Sequence, residues 1–108
     1  MSDGPTGGSA TGSDLGAPSE VVRRIATICN QRGLHARASA RFVKTAAQFA
    51  ADIRVRKNGT EVSGRSIMGL MMLAAAPGTV VELTGSGVEA EAAVAALAGL
   101  IECKFDED

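Results

Sequence analysis

The sequence predicts an α+β fold, an open-faced two-layer β-sandwich in which three helices cover one face of a four-stranded antiparallel sheet. Short segments with a period of two alternate with segments of helical period, in the order β-α-β-β-α-β-α. A two-residue turn at Asn58–Gly59 joins two of the strands as a hairpin, which makes those strands antiparallel. Because the helices are amphipathic, we expect them on one side of the sheet and water on the other.

Length and composition are those of one domain preceded by a tail. The chain has 108 residues, of which residues 1–19 are Gly, Ser, Thr, Asp, Pro and Ala with the exceptions of Met1 and Leu15. Such a segment buries too little apolar surface to offset its ordering entropy, and it has no signal-peptide pattern. We therefore expect a flexible tail over 1–19 and a folded domain over 20–108. With 45% apolar but only 3% aromatic residues, its core should be aliphatic.

The hairpin is the clearest local signal. Asp52–Lys57 alternates, with Ile53 and Val55 on one side and arginines on the other. Asn58–Gly59 permits the positive φ angles of a tight hairpin turn, after which Thr60–Ser63 returns.

Two further strands complete the predicted sheet. Val21–Cys29 is rich in Val, Ile and Thr, although its alternation is imperfect and either face could point inward. Thr79–Thr84 is followed by Gly85–Gly87, which we interpret as a turn. The residues that we favour as core-facing are Ala26, Ile28, Val81 and Leu83.

Helical periodicity predicts helices over Ala36–Ala50, Ile67–Ala75 and Val88–Lys104. Ser66 is a suitable N-cap for the second helix. Residues 106–108 are expected to fray. The apolar stripes of the first and third helices contain Phe42, Ala46, Phe49, Ala90, Val94, Leu97 and Ile101.

Composition excludes several functions. The net charge is −1, no apolar run approaches a membrane span, and the sheet has no aromatic residues on which RNA bases could stack. Cys29 and Cys103 match no metal or redox spacing and do not form a coordination set with His35. The two cysteines could form a disulfide, or be reduced and partly buried in a cytosolic protein, which we favour.

His35 is the single histidine and lies just before the first predicted helix, with Arg37 two residues later. A helix start presents backbone N–H groups without intrahelical partners at the positive end of the helix dipole, and therefore accepts an anion. Imidazole is also a nucleophile that can carry a covalent group. We hypothesise that His35 carries a phosphoryl group.

Two motifs carry a resemblance to a known family. Gly33–Arg37 reads GLHAR, and about thirty positions later Ser66–Met71 reads SIMGLM. Both resemble the HPr family, the histidine phosphocarriers of the bacterial phosphoenolpyruvate-dependent phosphotransferase system, over nearly all of Val21–Lys104. The resemblance implies the HPr-like fold and a cytoplasmic, monomeric protein that needs no cofactor or metal.

The resemblance also implies roles for individual residues. Enzyme I would phosphorylate His35 at Nδ1, Arg37 would be the active-site arginine, and an IIA-type protein would accept the phosphoryl group. Ser66 matches the serine that HPr kinase/phosphorylase modifies in some bacteria, although an N-cap role explains it equally. The residues expected to contact partners are Leu34, Ala36, Ile67, Met68 and Met71, the last two having a core position as the alternative.

Two other interpretations remain. The protein could be a regulatory binding module controlled by phosphorylation of Ser66 rather than by phosphoryl flow through His35. The chain also has Ala38 and Ser39 where the family commonly has Pro and Ala after the arginine. This departure makes the pattern more similar to the nitrogen-related carriers, often called NPr, than to sugar-transport HPr.

Overall fold

A computed structural model of the chain describes residues 21–107. The predicted tail, 1–19, and its boundary with the domain lie outside these residues. The elements follow the predicted order, with one short 3-10 helix added at the end, Lys104–Asp106. They are β1 (Val21–Thr27), α1 (Ala36–Ala46), β2 (Asp52–Lys57), β3 (Thr60–Ser63), α2 (Ile67–Met72), β4 (Val80–Ser86) and α3 (Ala90–Glu102).

The four strands form one antiparallel sheet in the order β1-β4-β2-β3. Leu83 of β4 is paired with Arg24 of β1 on one side and with Val55 of β2 on the other. One core cluster contains buried residues of β1, β2, β4 and all three helices. The predicted fold class is therefore confirmed. The predicted core-facing residues Ala26, Ile28, Val81 and Leu83 are all buried.

The hairpin between β2 and β3 forms as predicted. Asn58 and Gly59 both adopt positive φ angles, 50° and 84°, as a two-residue turn requires. Val55 pairs with Val62 across the hairpin, and Val62 packs against the core.

All three helices end earlier than the periodicity predicts, the third by two residues. After Ala46, the N–H groups of Gln48 and Phe49 bond to carbonyls three residues back, so the helix tightens and ends while Phe49 still packs on the core. Beyond α2, Ala74 takes a φ of 53°, and the Lys57 Nζ donates to the carbonyls of Leu73 and Ala74. A lysine from the hairpin thus satisfies the carbonyls at the end of α2.

The predicted turn at Gly85–Gly87 is wrong at its first two residues, which belong to β4. A Cβ atom on Gly85 would lie 2.8 Å from Val94 Cγ2 and 3.1 Å from Ile53 Cδ1. Glycine is needed at this position because α3 packs too closely on the sheet for a side chain. The chain turns at Gly87, where φ is 114°.

The last residues do not fray, contrary to the prediction for 106 and 107. The predicted stripe of α3 is buried as expected. α3 ends at Glu102. Soon after it, three consecutive non-glycine residues, Lys104, Phe105 and Asp106, adopt left-handed φ angles between 55° and 60°. Phe105 is fully buried in the core cluster, which holds this turn against the domain. Residue 108 lies outside the described part of the chain.

Both cysteines are free and exposed, so their predicted partial burial is wrong. The Cys29 thiol lies 3.3 Å from the carbonyl oxygen of Ile101, to which it donates. Over residues 21–107, each helix is too short or too polar to cross a membrane.

Phe105→Ala tests whether the final turn depends on core packing. Removing a fully buried phenyl ring is expected to lower the free energy of unfolding by about 3–5 kcal/mol. Urea denaturation measures the change, with Val88→Ala as the control, because Val88 is exposed and should stay within about 0.5 kcal/mol of wild type. A Phe105→Ala protein as stable as the control would contradict the docking of this turn.

Candidate functional site

His35 is the N-cap residue of α1. Its backbone is extended (φ −80°, ψ −175°), and its Nδ1 accepts a hydrogen bond from the backbone N–H of Arg37 at 3.2 Å. The preceding turn passes through Gly33 at a φ of 65°, where a Cβ atom would lie 2.3 Å from the carbonyl oxygen of Ala75. Leu34 then donates its N–H to that oxygen at 3.0 Å. The loop that carries the histidine is therefore fixed against the segment that follows α2.

The other ring nitrogen of His35 contacts the C-terminal turn. The His35 Nε2 lies 2.6 Å from Oε2 of Glu107, whose Oε1 accepts a 3.0 Å bond from the Asn30 Nδ2. Asn30 is fully buried, and its Nδ2 also donates to the Gly33 carbonyl at 2.9 Å. Glu107 and Asn30 thus join the loop before α1 to the C-terminal turn around the imidazole.

Sequence reasoning missed both Asn30 and Glu107. Glu107 follows a helix by several residues in a run of acidic residues, which is the composition of an exposed terminus. The available signal was Phe105, an apolar residue placed where a frayed end would have only polar ones.

The two contacts of the ring determine its neutral tautomer. A carboxylate accepts hydrogen bonds, so the proton shared with Glu107 is carried by Nε2, and the Arg37 N–H requires a lone pair on Nδ1. The pKa of Glu107 is held below its ordinary value chiefly by the hydrogen bond from Asn30. Burial opposes this shift, whereas the hydrogen bond and charge of His35 and the charge of Arg37 add to it. Nδ1 is therefore the ring nitrogen that carries the lone pair.

An open pocket of about 410 Å³ lies beside the ring. Three guanidinium groups and two carboxylates face it, and Arg41 pairs with Asp106 at 3.6 Å. The His35 side chain is 24% exposed, so an incoming group can reach it. The lining residues are Gln31, Arg32, His35, Arg37, Arg41, Asp106 and Glu107. The pocket is polar and open, which suits a small anion.

Ser66 and the apolar motif lie on a different helix, α2. The Ser66 Oγ accepts a 2.9 Å bond from the Gly69 N–H, as predicted for an N-cap. Ile67, Met68 and Met71 are exposed, with Met68 at 69%. Leu70 and Leu73 are buried and belong to the core. We define the docking patch as the exposed residues Ile67, Met68, Met71 and Met72.

Two other predicted contact residues differ in exposure. Ala36 is exposed at the start of α1, beside His35. Leu34 is only 6% exposed and belongs to the core cluster, so its side chain is not available to a partner. Packing in the core explains why position 34 is a leucine.

Fold and site together define a small α+β domain that presents one nucleophilic imidazole at the start of a helix. A family model described as "PTS HPr component phosphorylation site" matches residues 22–103. The chain therefore belongs to the HPr family, the phosphocarrier proteins of the phosphotransferase system.

Individual relatives agree with this assignment. The phosphocarrier protein HPr of Neisseria meningitidis is 49% identical over 87 residues, covering 81% of this chain and 98% of the relative. The phosphocarrier protein NPr of Shewanella violacea is 40% identical over 86 residues, covering 80% and 94%. A crystal structure of HPr from Thermoanaerobacter tengcongensis is 44% identical and covers 81% of this chain and 98% of its own, with a TM-score of 0.78.

Glu107→Gln tests the electrostatic role of Glu107 in the folded state. Because folding lowers the pKa of this carboxyl, its contribution to stability should be complete above its ordinary value of about 4.5. The contribution should disappear as the pH falls through the lower pKa of the folded protein. Urea denaturation of wild type and variant over this range should therefore show a difference that shrinks with decreasing pH.

Val88→Ala serves as the matched control for this pH series. It removes no titratable group, so its difference from wild type should stay constant as the pH changes. A Glu107→Gln difference that is equally constant would contradict the lowered pKa of Glu107.

Proposed function

We propose that enzyme I transfers a phosphoryl group to Nδ1 of His35 and that an IIA-type protein then accepts it. The observation that carries this proposal is the lone pair of Nδ1, held at the start of α1 while the ring proton is bonded to Glu107. An attacking nitrogen must approach phosphorus opposite the leaving atom, and the protein's main task is to position it. The open pocket leaves room for that approach.

The start of α1 can bind the phosphoryl oxygens. The Arg37 N–H that now donates to Nδ1 is 3.2 Å away, and it can donate to a phosphoryl oxygen once Nδ1 is bonded to phosphorus. The Arg37 guanidinium lines the same pocket. A helix end stabilises an exposed anion by about 0.3–1 kcal/mol, and a hydrogen bond to a charged group by about 1.5–3 kcal/mol. Binding of this modest strength allows the group to leave again.

We propose that the docking patch and Ala36 contact both protein partners. The patch consists of three methionines and one isoleucine, all exposed. Methionine side chains repack easily, and one surface can therefore fit two different proteins. The site and the patch are complete within one chain, which supports a monomer. We also propose a cytoplasmic location, where the reduced state of the exposed Cys29 and Cys103 would be maintained.

His35→Ala tests the carrier role. Incubation of wild type with enzyme I and phosphoenolpyruvate should add one acid-labile phosphate, measured by mass spectrometry before and after acid treatment. His35→Ala should add none, because the nucleophile is absent. Ser66→Ala is the matched control and should still be phosphorylated under these conditions.

Phosphate on Ser66 would have the opposite properties, being acid-stable, dependent on ATP and a kinase such as HPr kinase/phosphorylase, and retained in His35→Ala. It would add charge beside the docking patch, which is how a regulatory module would operate. If acid-stable phosphate is the only kind observed, the carrier role is wrong and the regulatory alternative stands.

Arg37→Ala tests the proposed contact with the phosphoryl group. Losing one charge-assisted hydrogen bond should slow phosphorylation by enzyme I about tenfold or more, without loss of the fold. Rapid-quench measurement of phosphohistidine gives the rate, and circular dichroism checks the fold. Arg54→Ala is the control, because Arg54 lies on the opposite, exposed face of the sheet. Equal rates for both variants would remove Arg37 from this role.

We propose that the chain belongs to the nitrogen-related branch, on the basis of Ala38 and Ser39. Relatives named HPr and relatives named NPr both match the chain. The identity of the IIA-type acceptor distinguishes the two branches.

A further inference from the structure

We propose that Glu107 is a positioning residue that keeps the imidazole proton on Nε2 through both halves of phosphoryl transfer. This inference rests on the proposed role of His35 as the phosphoryl acceptor. It assigns a task in the reaction to the C-terminal turn, which lies more than 70 residues away from the histidine in the sequence.

Glu107 is held firmly in the position that this role requires. One carboxylate oxygen is 2.6 Å from Nε2 of His35, and the other accepts a 3.0 Å bond from the fully buried Asn30. The Glu107 side chain is only 14% exposed. The burial of Phe105, two residues earlier, fixes the turn that presents it. The carboxylate therefore cannot leave the ring without losing its hydrogen bond to Nε2 and either losing the bond from Asn30 or moving the turn that Phe105 fixes.

The bonds that form and break during phosphoryl transfer show why the position of the ring proton matters. When His35 accepts, the Nδ1 lone pair forms the N–P bond, while the bond from phosphorus to the donor atom breaks and its electron pair returns to the donor. The ring then has phosphorus on Nδ1 and hydrogen on Nε2, and carries one positive charge. The Glu107 carboxylate, in hydrogen-bond contact, neutralises that charge as it forms.

Donation reverses these steps without moving the proton. A lone pair of the acceptor bonds to phosphorus, and the Nδ1–P electron pair returns to Nδ1, which regenerates the neutral ring with hydrogen on Nε2. If Nε2 had lost its proton, the departing group would be an imidazolate anion, which is a much poorer leaving group. Glu107 therefore favours the reactive form in both directions, as a buried aspartate does for the histidine of a serine protease.

The other charges around the ring do not replace this effect. Arg37 and Arg41 face the pocket from α1, and Arg32 faces it from the preceding loop. All three oppose a positive charge on the ring. Asp106 faces the same pocket but pairs with Arg41. Within residues 21–107, the carboxylate that hydrogen-bonds to the ring is that of Glu107.

A carboxylate suits both neighbours because it has two accepting oxygens. In Glu107→Gln, one oxygen is replaced by an NH₂ donor, while Asn30 and His35 each present a donor to position 107. If the amide oxygen stays with Asn30, its NH₂ group must donate to Nε2, which moves the ring proton to Nδ1. That tautomer has no lone pair on the nitrogen that attacks phosphorus.

The experiment compares wild type, Glu107→Gln and the matched control Glu102→Gln. Glu102 lies on the exposed side of α3 and pairs with Arg24, away from the pocket. Because the chain has one histidine, ¹⁵N NMR resolves the protonation of both ring nitrogens at about pH 8, where an ordinary imidazole is neutral. We expect the Nε2–H form in wild type and control, and the Nδ1–H form in Glu107→Gln.

Rates of phosphoryl transfer provide the second readout, measured from enzyme I to the chain and from the phosphorylated chain back to enzyme I. Both should fall about tenfold or more in Glu107→Gln and stay at the wild-type value in Glu102→Gln. Glu107→Ala distinguishes a role in the reaction from a purely structural role, because a purely structural role predicts no rescue by a small carboxylate. Formate should restore part of the lost rate by placing a small carboxylate beside Nε2, whereas formamide should not.

The outcomes separate the inference from the proposed function. If wild type accepts phosphate and Glu107→Gln keeps the wild-type tautomer and both rates, the inference is wrong and the carrier role stands. If Glu107→Gln loses its fold, absence of formate rescue in a folded Glu107→Ala overturns the inference instead. If wild type accepts no phosphate from enzyme I, the carrier role is wrong and the inference is wrong with it.

Discussion

The close approach of Gly33 to the carbonyl oxygen of Ala75 is the constraint on which the site depends. A side chain at position 33 would overlap that oxygen, and Leu34 donates its N–H to the same atom. This contact fixes the loop before α1 against the chain that follows α2. The histidine at the start of α1 and the docking patch on α2 are thereby fixed relative to each other. A partner bound to the patch, as we propose, would therefore meet the imidazole in a defined position.

The C-terminal turn adds the second fixed side of the site. The buried amide of Asn30 donates both to the Gly33 carbonyl and to Glu107, so the same residue supports the loop and the carboxylate. Phe105 holds the turn to the core, although three consecutive residues take left-handed φ angles that cost energy outside glycine. Core packing thus stabilises a strained backbone that places an acidic side chain against the ring.

Most of the fold could be predicted from the sequence because its signals are local. The alternation of Asp52–Lys57 and the turn at Asn58–Gly59 depend on neighbouring residues, and both were correct. Gly85 was misassigned because a glycine in a strand has the same local signal as a glycine in a turn. Only the packing of α3 on the sheet, seen in the contact with Val94, distinguishes the two. Such contacts between distant residues leave no local pattern.

The site residues divide in the same way, into those that a local sequence signal identifies and those that only the complete fold brings together. His35 and Arg37 were identified because a helix start and a short motif are local features, and the structure brings them together. Glu107 and Asn30 act across more than 70 residues, so their contact depends on the fold being complete. A phosphocarrier must bind its group weakly enough to release it, and in the proposed function the local part of the site provides that weak anion binding. In the role we propose for it, the distant part keeps the ring proton on Nε2, so that Nδ1 has a lone pair when the ring accepts the group and the ring leaves as a neutral imidazole when it gives the group up.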